Sequence, residues 1–287
     1  MFQSLGYKAQ AEQALSELRP EIPLFFEAND KREINCGELS LKINDKGGIE
    51  SLRYGENEFI RENEEALITY RSFSDKDYQY WLSHYSRDLH ETAVWALGDF
   101  ARPNLKIFEG KYPSGRFDYR LEKISATENR IILNLTCDRK LREELGAPGL
   151  IQVVYTLRDE SLLVDVSWFN KDANRLTEAI YLNLFPNSDN VLLKKLGSYV
   201  RPEEVTLNGS RNLHAVQSVS FDGCEITNLH APLVSFGRGK ILEFDNKLES
   251  VSENGISFVL QNNVWGTNFP LWYEDNARFA FEIKLNK

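Results

Sequence analysis

The chain is poor in the residues that mark most kinds of chemistry. It has three cysteines, Cys36, Cys137 and Cys224. They are odd in number, far apart and without a C-x-x-C pair, which argues against a disulfide framework or a cysteine-based zinc site and leaves free thiols. The four histidines, His84, His90, His214 and His230, show neither H-x-H nor H-E-x-x-H spacing, so no metal is expected. G-x-S-x-G, G-x-x-x-x-G-K and G-x-G-x-x-G are all missing. That argues against a serine hydrolase elbow, a phosphate loop and a dinucleotide fold, and no cofactor is expected. Basic runs are missing too, and the net charge is -9, a poor match for nucleic acid or an anionic membrane surface. No hydrophobic run approaches membrane-spanning length. Met1-Phe2-Gln3-Ser4-Leu5-Gly6-Tyr7 has neither a basic region nor an apolar one like a secretory signal. The expectation is a cytoplasmic protein, or a piece of something larger.

What is present is apolar and aromatic. Of 287 residues, 42% are hydrophobic and 12% aromatic, enough for two ordinary domains or one large all-β domain. Residues 8–19 read as a helix, with Ala11, Ala14, Leu15 and Leu18 at helical spacing before Pro20 and Pro23 stop it. Its apolar stripe needs burial against the rest of the chain or against another chain or domain, which hints at something upstream. From about residue 33 the signal is β. Leu39, Leu41 and Ile43 alternate with polar residues, Asp45-Lys46-Gly47-Gly48 turns, and Ile49–Tyr54 returns. Further strands are predicted at 131–136, 150–157, 162–169, 179–185, 215–220, 233–236, 241–244, 256–261 and 277–285. Gly237-Arg238-Gly239 reads as the hairpin turn between two of them. Turn signals rather than repeated helices join these strands, which favours packed antiparallel sheets over a βαβ sheet. Asp75 to Leu89 departs from the pattern. Tyr78, Trp81, Leu82, Tyr85 and Leu89 fall on one helical face, predicting a helical insertion. With no repeat or low-complexity linker, the division is residues 1–27, helix and linker, and residues 28–287, one β domain.

Residues 262–273, Asn-Asn-Val-Trp-Gly-Thr-Asn-Phe-Pro-Leu-Trp-Tyr, set flat aromatic faces beside amides. That suits sugar, whose C–H face lies on an aromatic ring while its hydroxyls bond amides. The same composition also closes the end of a large β core. Asp99 lies among Trp95, Phe100 and Arg102, either as a sugar-hydroxyl acceptor or as half of an Asp–Arg brace. His214 and His230 stand at strand ends, where an epimerase places its acid or base.

Two groups of motifs resemble a known family. The first is Thr69-Tyr70-Arg71-Ser72-Phe73-Ser74 with Asp77-Tyr78, then Gly98-Asp99-Phe100-Ala101-Arg102-Pro103-Asn104-Leu105. The second is Arg211-Asn212-Leu213-His214-Ala215-Val216, Ala231-Pro232-Leu233-Val234-Ser235-Phe236-Gly237 and Asn263-Val264-Trp265-Gly266-Thr267-Asn268-Phe269-Pro270. Together they are similar to an uncharacterised group related to the C-terminal region of glycoside hydrolase family 38, the α-mannosidases. The resemblance spans nearly the whole chain. It implies an all-β fold, a large antiparallel β-supersandwich of the galactose mutarotase type, preceded by the last helix of a helical domain. It carries no catalytic residue onto this chain, because the zinc ligands and nucleophilic aspartate of α-mannosidases lie in an N-terminal domain unmatched here.

The expected role is a carbohydrate-associated module without catalysis of its own. Its partners would be a carbohydrate and an upstream catalytic domain or subunit, or copies of itself, with no nucleic acid and no membrane. Asp99, Arg102, His214, Trp265, Asn268 and Trp272 are the expected substrate-binding residues, and the catalytic residues are unknown. The alternatives are an aldose epimerase-like enzyme using a histidine and a carboxylate, and a structural or oligomerisation domain without a ligand.

Overall fold

The computed structural model describes residues 5–102, 104–266 and 269–286. Helix α1 (Leu5–Glu17) leads into an extended arm. A meander follows, β1 (Glu33–Cys36), β2 (Leu39–Ile43), β3 (Ile49–Tyr54) and β4 (Asn57–Ile60). Next come β5 (Ile68–Ser72), the helices α2 (Asp75–Tyr85) and α3 (Trp95–Asp99), and β6 (Gly115–Asp118). Then follow β7 (Arg120–Ala126), β8 (Arg130–Thr136), helix α4 (Arg139–Leu145), β9 (Leu150–Arg158), β10 (Ser161–Lys171) and β11 (Glu178–Leu184). The C-terminal part adds β12 (Val191–Lys195), β13 (Ser198–Val200), β14 (Leu213–Ala215), β15 (Ser218–Phe221), β16 (Cys224–Asn228) and β17 (Leu233–Phe236). The last two strands are β18 (Ile256–Asn262) and β19 (Asp275–Leu285).

Among the described residues these strands form three antiparallel sheets. The meander is the first. A wide sheet of nine strands runs β13-β12-β15-β16-β19-β10-β9-β8-β7, and a narrow sheet of six runs β14-β17-β18-β11-β5-β6. The fold is the large antiparallel β-supersandwich with a short N-terminal helix that the sequence predicts.

Alternation builds the core. Leu162, Val164, Val166 and Trp168 of β10, with Phe281, Ile283 and Leu285 of β19, face inward from the wide sheet and are buried. Ile180, Leu182 and Leu184 of β11, with Ile256 and Phe258 of β18, face them from the narrow sheet. The Phe258 and Phe281 rings meet across the gap at 5.1 Å. Apolar burial of this extent is the main stabilising term, at about 25 cal/mol per Å² removed from water.

β11 is buried at every position, so both faces of the narrow sheet need cover. Its outer face carries Ala179, Tyr181 and Val259 into a second core with Phe73, Tyr78, Trp81, Leu82 and Ala101. The helical insertion is that cover. Tyr78, Trp81 and Leu82 of α2 point onto the sheet as their spacing requires, while Tyr85 is 49% exposed. At the start of α2, Asp77 accepts the Ser74 N–H at 2.6 Å and pairs with Arg71 at 2.7 Å, holding the first turn in a capping-box arrangement.

Two strand predictions differ from the structure. Residues 241–244 are no strand. Gly239, at φ +58, lies so close to Tyr181 that a Cβ would meet the ring at 2.8 Å. From there the chain crosses the outer face of the narrow sheet instead of turning back beside β17, with Leu242 buried at φ 61. Gly237-Arg238-Gly239 is therefore a crossing point rather than a hairpin, and β17 pairs with β14 and β18. The predicted strand 215–220 is likewise two pieces, because β14 ends at Ala215 in the narrow sheet and β15 starts at Ser218 in the wide one.

The arm lies across the outer face of the wide sheet. The Arg278 N–H donates to Leu18 O at 2.9 Å. Gln152 bonds both Leu24 backbone groups, at 2.8 and 2.9 Å, and Asn29 bonds both backbone groups of Ala126 and Ile124 O. Helix α1 behaves differently. Ala11, Ala14 and Leu15 are exposed, so the β domain does not bury its apolar stripe.

Candidate functional site

The aromatic segment begins where β18 ends, and Asn263 fixes its path. Its side chain is 3% exposed. Oδ1 accepts the Glu178 N–H at 2.8 Å, and Nδ2 reaches Asn174 O, Leu176 O and Leu271 O at 3.1, 3.0 and 3.0 Å. One amide thus ties the end of β18, the turn before β11 and the far limb of the aromatic loop. Arg102 donates to the Asn263 backbone oxygen, and the Tyr78 hydroxyl donates to Val264 O, so the insertion grips the same loop. A Cβ on Gly266 would stand 2.9 Å from Ala101 O, and only glycine allows that approach.

Behind the loop is a buried charge network. Lys171 Nζ lies 2.7 Å from Glu178 Oε1, and both side chains are fully buried. The Tyr70 hydroxyl donates to Glu178 Oε2 at 2.5 Å, and Lys171 also donates to Asp172 O at 3.1 Å. Burial pushes the Glu178 carboxyl pKa up, with Lys171 and Tyr70 opposing it. Burial and the neighbouring Glu178 push the Tyr70 pKa up as well.

On the solvent side the loop closes two adjoining chambers. The first, about 550 Å³, is walled by Trp265, Phe269, Trp272 and Tyr273 on one side and by Pro232 and Leu233 on the other. The second, about 900 Å³, lies between the arm at Leu15–Arg19 and the ends of β10 and β19, at Trp168, Asn276 and Arg278. His230, Leu260, Gln261 and Tyr273 border both. Volumes of this size suit small organic ligands.

The seam between the chambers is polar. His230 Nδ1 accepts the Ala280 N–H at 3.1 Å, so in the neutral ring the proton sits on Nε2. Burial first, and then the nearby Arg278, lower the His230 pKa, with Asp165 opposing. The ring is therefore neutral at neutral pH. The cations on the walls are already matched. Arg278 Nε donates to Asp165 at 2.8 Å, and Arg19 pairs with Asp275 at 3.0 Å.

Of the six residues expected from the sequence, the structure brings Trp265 and Trp272 into the first chamber. Trp272 is 41% exposed, with the Arg175 guanidinium 4.6 Å from its ring centre. Arg102 lies behind the loop and acts on it through Asn263. Asp99 ends α3, half-buried, and borders neither chamber. His214 sits on the edge strand β14, 3% exposed, with its ring 5.2 Å from Phe236. Burial, helped by Lys195, lowers its pKa to about 4, and Nε2 has no partner among the described residues. It also borders neither chamber. Asn268 lies outside the described residues. Sequence reasoning passed over Gln261 and Tyr273 as site residues and weighed His230 only as an epimerase group. For Gln261 the only local sign is its place at the end of an apolar strand.

Fold and groove together define an antiparallel β-supersandwich protein with an aromatic-walled, amide-braced cleft. The profile of a domain of unknown function, DUF5054, matches residues 3–164, and the chain belongs to that family. No curated protein matches it. Similar solved structures include both groups that the sequence resembles. A putative aldose 1-epimerase from Escherichia coli is 9% identical, over 89% of this chain and 98% of its own, with TM-score 0.49. A galactose mutarotase-like protein from Lactobacillus casei is 9% identical, over 88% of this chain and 99% of its own, with TM-score 0.46. An alpha-mannosidase from Enterococcus faecalis is 11% identical over 93% of this chain, with TM-score 0.49. The present chain spans 30% of that mannosidase.

Proposed function

We propose that this chain is a saccharide-binding module that breaks no bonds itself and works beside a catalytic domain or subunit. The observation that carries the reading is the first chamber, where Trp265, Phe269, Trp272 and Tyr273 face one space with Gln261 and Asn262 on its rim. Flat apolar rings beside amide groups match the two kinds of surface on a pyranose. In this reading residues 1–27 form the element that meets the partner, in the cytoplasm, and the exposed apolar stripe of α1 is the contact. Asp99 and Arg102 serve by shaping the loop.

The test is thermal unfolding of the chain in neutral saccharides. A ligand at 100 times its Kd stabilises the folded state by about 2.7 kcal/mol. The expected result is a rise in Tm that Trp272→Ala abolishes while leaving the unliganded Tm within a few degrees. No shift with any saccharide would leave the purely structural reading in its place.

The second reading, an aldose epimerase-like enzyme, draws on His230, which borders the cleft with Asp275 and Glu21 on the same walls. It predicts that the chain accelerates anomer exchange in a freshly dissolved aldose, followed by polarimetry, and that His230→Ala stops it. The module reading predicts no acceleration.

A further inference from the structure

We infer that the ligand of this cleft is an uncharged oligosaccharide of at least two sugar units, lying across both chambers with His230 and Gln261 at the crossing point. The inference rests on the saccharide reading above and goes on to fix the ligand's length and charge.

Three observations carry it. The first is adjacency. The chambers of about 550 and 900 Å³ share His230, Leu260, Gln261 and Tyr273 as lining residues, so a ligand held by Trp265 and Trp272 has the space under the arm as its neighbour beyond Tyr273. The second is the hydrogen-bonding character of the seam. His230 is fixed as an Nε2–H donor by the Ala280 N–H on Nδ1. Gln261 Oε1 is a buried acceptor with no partner among the described residues. A donor and an unmet acceptor lining the same chambers fit hydroxyl groups, each of which both gives and takes a hydrogen bond.

The third is charge. Arg19 and Arg278, the arginines on the second chamber's walls, are held by Asp275 and Asp165. Glu21 adds negative charge there, while Glu12 pairs with Lys8 at 3.6 Å. Among the described residues the second chamber's walls offer no unmatched cation for a phosphate or a uronate, so that chamber selects against anionic sugars; the Arg175 guanidinium over Trp272 belongs to the first. The arm at Leu15–Arg19 forms the outer wall of this chamber and is fastened to β19 by the Arg278 N–H to Leu18 O bond and by Asn276 Nδ2 on Pro20 O at 2.6 Å. Bound sugar would therefore lie between the arm and the sheet.

The test uses neutral gluco-, manno- and galacto-oligosaccharides of one to four units, with glucuronic acid as the charged control. Titration calorimetry is run on the whole chain and on the variants Trp272→Ala and His230→Phe, each checked for an unchanged far-UV spectrum and Tm. For at least one series the expected result is a tenfold or greater gain in affinity from one unit to two, with glucuronic acid failing to bind. His230→Phe, which keeps a ring but loses the donor, should cost the two-unit ligand about tenfold and cost single sugars less than that. Trp272→Ala should weaken both. If single sugars bind as tightly as longer ones, or if His230→Phe leaves the dimer unaffected, the inference is overturned while the saccharide reading stands. If no member of any series binds, both are overturned.

Discussion

The outer faces of the two sheets have opposite fates. The narrow sheet is roofed by α2, α3 and the crossing segment at Ile241 and Leu242, so that Tyr181 on its outer face is 1% exposed. The wide sheet leaves its outer face more open, with Asp165, Ser167 and Arg278 half-buried and the arm laid over one end. The groove forms where the roof stops and the arm begins. A roofed face gives rigidity, since Asn263, Arg102 and Tyr78 lock the aromatic loop from behind. An open face gives access, since a ligand approaching from that side meets no core to displace.

The comparison can be broken most forcefully at its ion pairs. Lys171–Glu178 belongs to the buried interior and Arg278–Asp165 to the open face, where the side chains are 34% and 28% exposed. Removing one partner of a buried pair strands the other charge and typically costs 3–5 kcal/mol. Lys171→Met should therefore lower stability by about 4 kcal/mol in urea unfolding or abolish soluble expression. A loss under about 1 kcal/mol would mean that Glu178 is held neutral.

Trp81→Ala, which opens the roof, should cost about 3 kcal/mol by cavity formation. It should also loosen the loop, seen as faster amide exchange at Val264 and Trp265.

His214 lies at the edge of the roofed sheet as a neutral imidazole with a pKa of about 4. The unfolded chain takes up that proton near pH 6.5 and the native one does not. Stability is thus intact above pH 6.5 and falls between pH 6.5 and 4, by up to about 3 kcal/mol from this group. His214→Gln should flatten the curve in that window, and an unchanged slope would contradict the assignment.

The smallest effect is expected on the open face. Asp165→Asn should cost no more than about 1 kcal/mol, as surface pairs do. A loss as large as that of Lys171→Met would erase the distinction between the faces.

Much of the sandwich is legible in the sequence because alternation is a local signal. Leu162, Val164, Val166 and Trp168 announce the buried face of β10 unaided, and Tyr78, Trp81 and Leu82 do the same for α2. The pattern failed where backbone geometry overrides composition. Ile241 and Leu242 have strand-like side chains, yet Leu242 takes a positive φ because the chain has just crossed Tyr181 at Gly239. The site was legible in its aromatics, since Trp265 and Trp272 cluster within eight residues of sequence. It was not legible in its polar partners. His230 and Gln261 are 31 positions apart and line the same chambers because β17 pairs with β18 and the Ala280 N–H of β19 bonds His230. Asp99 and His214 carried suggestive local chemistry, but the structure leaves the one half-buried at the end of α3, outside both chambers, and buries the other beside Phe236.

The most direct test of the account is a crystal structure of the chain soaked with a neutral di- or trisaccharide. The account predicts sugar density against Trp265 and Trp272 that continues past His230 toward the arm. Density elsewhere, for instance on the exposed Trp95 of the insertion, with the groove left to water, would contradict it.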